Sequence, residues 1–97
     1  MTIRTPAHGI VLVTGAAKRI GRAIAHGLAV AGWDVAIHFY RSSADAQALQ
    51  KEISALGRRA ITLQADLAQS AEVEGLMQRC ADQLGAPTAQ AGVRRGA

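Results

Sequence analysis

The stretch from Gly9 to Gly21 constrains this chain more than any other: an apolar run, G-I-V-L-V-T, leads without a break into T-G-A-A-K-R-I-G. An unbroken run rich in β-branched residues suits a strand buried on both faces of a parallel sheet, because a strand with one wet face would alternate. Gly15 follows where the chain must turn, and a residue without Cβ lets both the turn and an incoming phosphate lie close to the backbone. The next residues open a helix whose unpaired amides and positive dipole end face the same spot. Gly21 lets that helix sit close to the sheet. Strand, glycine turn and helix N-terminus together form an anion cradle, and the lack of G-K-[ST] excludes a P-loop.

The rest of the chain repeats the same alternation. Lys18 to Ala31 reads as a helix with Ile20, Ile24 and Leu28 on its apolar face, Ala23, Gly27 and Ala31 beside them, and Gly32 as C-cap. Asp34 to Phe39 is a second apolar run, after which Ser42 is placed to cap a helix with Asp45 at its third position. That helix presents Leu49, Ile53 and Leu56 and stops at Gly57. Arg59 to Ala65 supplies a third strand. A third helix from Ser70 carries Val73, Leu76, Met77, Cys80 and Leu84 as one stripe, with Gly85 and Pro87 to end it. The order β-α-β-α-β-α implies an α/β fold with right-handed crossovers and a parallel sheet in the order 3-2-1, the N-terminal half of a Rossmann fold.

From Thr88 onward T-A-Q-A-G-V-R-R-G-A shows neither helical nor strand periodicity. The expectation is a partial dinucleotide-binding domain over residues 1–87, truncated before its fourth strand, and an unstructured tail over 88–97. The first strand would then be an exposed apolar edge, open to pairing with another copy or another chain.

Composition narrows the function. A chain of 97 residues makes one small domain, which buries only about 60–65% of its unfolded surface. With 49% apolar and 19% charged residues it belongs among globular domains. Trp33, Phe39 and Tyr40 are its only aromatics, so the core must come from Ala, Val, Ile and Leu. The net charge of +4 is inflated by Arg94 and Arg95 near the terminus, and without interleaved aromatics or a zinc-finger pattern it does not indicate nucleic acid. Cys80 stands alone, which rules out an internal disulfide and fits a reducing cytoplasm. Met1 to His8 has no signal-peptide core, and no apolar run approaches the ~20 residues of a membrane span, so a cytoplasmic protein without membrane partners is expected.

The end of the second strand reads H-F-Y-R-S, at the point where NAD binders place an acid on the ribose 2′-hydroxyl. The nearest acid, Asp34, lies at the wrong end of that strand. Arg41 and Ser42 instead offer a cation and a hydroxyl where a 2′-phosphate would sit, with His38 able to assist, so NADP(H) is expected over NAD(H).

The loop is similar to the T-G-x-x-x-G-x-G fingerprint of short-chain dehydrogenases/reductases, with Arg19 where that family has its middle glycine. T-G-x-x-[KR]-R-I-G and H-x-x-R-S both resemble the pteridine reductase subgroup. The resemblance covers residues 9–87, about the first third of a typical member. It implies NADPH-dependent reduction, a 2′-phosphate site at Arg41 and Ser42, and adenine contacts from the Asp66–Leu67 pair after the third strand. Arg19, with its fork-shaped, permanently charged guanidinium, is expected to reach the pyrophosphate or the mouth of a substrate pocket. The candidate cofactor residues are Gly15, Lys18, Arg19, Ile20 and Gly21 in the loop, His38, Tyr40, Arg41 and Ser42 around the end of the second strand, and Asp66 and Leu67.

The family also uses a Tyr-x-x-x-Lys pair, an active-site serine and an N-N-A-G stretch, and none of them occurs in these residues. Tyr40 is the only tyrosine and is followed four positions later by Ala44. Catalytic residues are therefore expected to be absent, and there is no ligand spacing for a metal. Three readings stay open: a reductase sequence truncated out of activity, a standalone NADP-binding module, and an edge-pairing interaction protein.

Overall fold

The computed structural model describes residues 9–17, 19–85 and 89–92. In chain order the elements are β1 (Gly9–Thr14), α1 (Arg19–Val30), β2 (Trp33–Phe39), α2 (Ser43–Ala55), β3 (Ala60–Gln64), α3 (Ser70–Gln83) and β4 (Ala89–Gly92). All pairings are parallel, and the sheet runs β3-β2-β1-β4. The expected order of the first three strands is the one found.

Because side chains alternate along a strand, β1 and β2 build two cores at once. Val11, Val13, Val35 and Ile37 pack with Ala25 and Ala29 of α1 and Ala46, Leu49 and Ile53 of α2. On the other face Leu12, Ala36 and Leu63 pack with Leu76, Cys80 and Leu84 of α3. Cys80 is buried, within 3.5 Å of the Gly85 carbonyl oxygen, and burial pushes its thiol pKa up. It is a core residue, as its place on the stripe implied.

Several apolar positions depart from expectation, among them Ala23, Gly27 and Ala31, which are exposed. In α1 the buried line is Gly21, Ala25 and Ala29, flanked by half-buried Ile24 and Leu28, while Ile20 is 66% exposed. The smallest residues face inward because helix and loop approach so closely that a Cβ on Gly21 would lie 1.9 Å from the Gly15 oxygen. Leu56 and Val73 are likewise largely exposed, at the margins of their helices. Ser42 is the N-cap of α2, yet its hydroxyl makes no capping bond.

At the amino end of the sheet Asp34 is buried and committed. Its carboxylate accepts the Arg59 amide at 2.9 Å and the Arg59 Nε at 3.1 Å, with the Arg58 Nε 3.6 Å away. Arg58 also donates to the Gly32 carbonyl at 2.7 Å. This ties the turn before β2 to the turn before β3.

The fourth strand is a correction. Ala89–Gly92, expected to be unstructured, pairs in parallel with β1, Val11 opposite Ala89 through Thr14 opposite Gly92. The rest of the expected tail, Thr88 and residues 93–97, lies outside the described residues. Strand pairing is made by backbone amides and carbonyls, and the open ladder of β1 accepts A-Q-A-G although those side chains carry no strand signal. The first strand is therefore not an edge: among the described strands, β3 and β4 are the outer ones. Among the described residues no helix is long and apolar enough to cross a membrane.

Candidate functional site

Parallel strands deliver all their carboxyl ends to one side of the sheet, and three connections meet there. They are residues 15–17 after β1, Tyr40–Ser42 after β2, and residues 65–69 after β3. Ten of the eleven sequence-derived cofactor candidates lie in or beside them; Lys18 lies outside the described residues.

Gly15 turns with φ 64°, in the left-handed region that favours glycine. The one described non-glycine residue with positive φ is Arg19, at 54°, where the resembling family keeps a glycine. An L-residue in that conformation costs about 1 kcal/mol, so the arginine occupies a position whose backbone prefers glycine. Arg19 and Ile20 are exposed at the start of α1. The first turn of α1 carries no acidic residue, whereas α2 has Asp45 and α3 has Glu72 there. Its first-turn amides thus have no carboxylate of their own helix beside them and suit an anion from outside. Arg19 and Arg22 line an open cavity of about 340 Å³ with Ala17, Asp45 and Ala48. Arg22 is paired with Glu52.

After β2, the Arg41 guanidinium lies 4.9 Å above the centre of the Tyr40 ring, and both residues are exposed. Gln64 fixes this loop by donating to the Tyr40 carbonyl at 3.0 Å. Ser42 is half-buried beside Arg41.

His38 is the second correction. It does not offer nitrogen to a 2′-phosphate, because the ring is only 3% exposed and both nitrogens are engaged inside the fold. Burial pushes its pKa below the ordinary value of 6.5, and the hydrogen bond to Ala65 pulls partly back. A lone histidine in an apolar strand gives no sequence signal for this role.

After β3, Asp66 Oδ1 accepts the Ala68 amide at 2.9 Å, a local turn that holds the carboxylate at the sheet edge. The Asp66 amide in turn donates to Glu72 Oε1 at 2.8 Å, and Arg79 donates to the Gln64 carbonyl at 2.7 Å. Glu72, in the first turn of α3, thus ties that helix to the end of β3. Leu67 beside Asp66 is 40% exposed. Among the described residues no group of acids, histidines or cysteines is placed to hold a metal ion.

A three-layer α/β sheet with a glycine turn, a helix whose first turn carries no acid and a basic loop at one edge defines a dinucleotide-binding unit. The sequence matches the short chain dehydrogenase family over residues 9–87, and the chain belongs to that family. It is 47% identical over 70 residues to pteridine reductase 1 of Leishmania tarentolae, covering 69% of this chain and 24% of that protein. The fold superposes with a TM-score of 0.83 on a protein described as a dehydrogenase from Burkholderia cenocepacia, solved with NADP bound. That match has 34% identity and covers 88% of this chain and 33% of the other. FolM alternative dihydrofolate reductase 1 of Brucella suis, in complex with NADP, gives a TM-score of 0.79 at 38% identity, over 89% of this chain and 35% of that one. The chain spans about a third or less of the length of these relatives.

Proposed function

We propose that this chain is the NADP(H)-binding portion of a pteridine-reductase-like short-chain reductase. The observation that carries the reading is the distribution of charge along β2. Its only acid, Asp34, is buried at the amino end in contact with Arg58 and Arg59, while Arg41 and Ser42 stand at the carboxyl end. A ribose 2′-hydroxyl would find no carboxylate on this strand; a 2′-phosphate would find a guanidinium and an uncommitted capping hydroxyl. The α1 amides and Arg19 would receive the pyrophosphate, and Asp66 and Leu67 the adenine. The cofactor supplies a hydride when bound.

Pterin is the proposed substrate class, supported by the 47% identity to pteridine reductase 1. These residues alone contain no Tyr-x-x-x-Lys pair and hold only the adenosine and phosphate end, so we expect cofactor binding without turnover. Fluorescence titration with NADPH and NADH tests the reading. Tighter binding of NADPH supports it, and equal affinities refute it.

A further inference from the structure

Gly15 and Ala16 open the phosphate loop, and the amides of both are bound by one residue. Ala16 donates to the His38 carbonyl at 3.0 Å, and Gly15 donates to Nδ1 of the His38 ring at 2.9 Å. An amide N–H can only donate, so Nδ1 is the bare nitrogen of a neutral ring. The proton then sits on Nε2, which donates to the Ala65 carbonyl at 2.8 Å. One buried imidazole thus joins the ends of β1, β2 and β3, the three places that carry the cofactor candidates.

We propose that His38 is a positioning residue whose neutral Nε2–H tautomer latches the glycine loop to the end of β3, and so holds the α1 amides in the arrangement that receives the cofactor phosphates. The inference rests on the cofactor reading above. Protonation reverses the latch: Nδ1 becomes a donor facing another donor, and the Gly15 amide loses its acceptor. The ring's two partners are backbone groups, and no described carboxylate bonds to it. β1 and the loop to Ala17 carry no ionisable group, and neither does β3. Asp66, one residue past the accepting carbonyl, turns Oδ1 to Ala68. Asp34, on the same face of β2, is at the far end with Arg58 and Arg59. Leu76, Met77 and Cys80 of α3 and Leu84 just after it pack on this face, and burial pushes the Cys80 thiol up; the charged α3 residues nearest the end of β3 are Glu72, whose Oε1 accepts the Asp66 amide, and Arg79, which donates to the Gln64 carbonyl.

The test is NMR of the full chain, ¹⁵N-labelled, from pH 8 to 5, with NADPH titrated at each pH, for the unmodified chain, His38→Phe and His38→Asn. Asparagine keeps a non-titrating acceptor for Gly15. At neutral pH the ring is expected to show the Nε2–H tautomer with the Gly15 amide protected from exchange. On acidification, protection and NADPH affinity should fall together with ring protonation. His38→Phe should lose Gly15 protection at every pH and bind NADPH about tenfold more weakly, the scale of a buried donor left unpaired. His38→Asn should keep protection in acid. The 2′-phosphate titrates in both chains, so the difference between their pH profiles isolates His38. Parallel profiles, or an equally protected Gly15 in His38→Phe, would overturn the latch; if His38→Phe does not fold, the comparison with His38→Asn decides alone. A latched Gly15 in a chain that binds no NADPH at any pH would refute the cofactor reading and the positioning role, while leaving the tautomer as found.

Discussion

Arg19 sets the terms at the scale of single residues. Its φ of 54° suits glycine, so side chain and backbone pull in opposite directions. Arg19→Gly should not lower the thermal midpoint, yet should weaken NADPH binding severalfold; calorimetry with parallel titration separates the two effects. Gly21 has no such latitude, since an added Cβ would meet a backbone oxygen at 1.9 Å. Gly21→Ala should cost about 3 kcal/mol in denaturant unfolding. Arg41→Asp should reverse or abolish the preference for NADPH, because a carboxylate repels a 2′-phosphate and accepts a 2′-hydroxyl. Retained preference in that variant would place the 2′-phosphate elsewhere.

Among the elements, those with strong side-chain patterns were legible in the sequence. The unbroken G-I-V-L-V-T run specified a strand with two buried faces, and the helices stop at Gly32 and Gly57, both with positive φ. The placement of Gly15, Arg41 and Asp66 after the carboxyl ends of their strands was legible, because each follows an apolar run directly. What escaped depends on closeness or on backbone. The inward line of α1 consists of Gly21, Ala25 and Ala29, which hydrophobicity ranks below Ile20, because the distance between helix and sheet decides which face is buried. β4 follows from the unpaired ladder of β1, and His38 from an amide and a carbonyl contributed by other strands. The α1 result is directly testable: Ile20→Ala should change stability by no more than about 0.5 kcal/mol, whereas Ala25→Leu should cost about 1–3 kcal/mol.

For the molecule as a whole, His38 couples stability to pH. Its native pKa lies below the unfolded value, which is near 6.5, so between the two the unfolded chain holds more protons. Its contribution is fully present above about pH 6.5 and is lost as the pH falls toward the lowered native value. Thermal unfolding followed by circular dichroism should show this acid-side decline, and His38→Asn should flatten it. The position of β1 has a further consequence, for biogenesis. β1 leaves the ribosome well before one of its two neighbours, β4. At about 5–20 residues per second of synthesis, β1 waits roughly 4–16 s for that neighbour to emerge. Throughout that interval the most apolar ladder of the sheet has one side open, so the nascent chain is an expected client for chaperones that shield extended apolar segments.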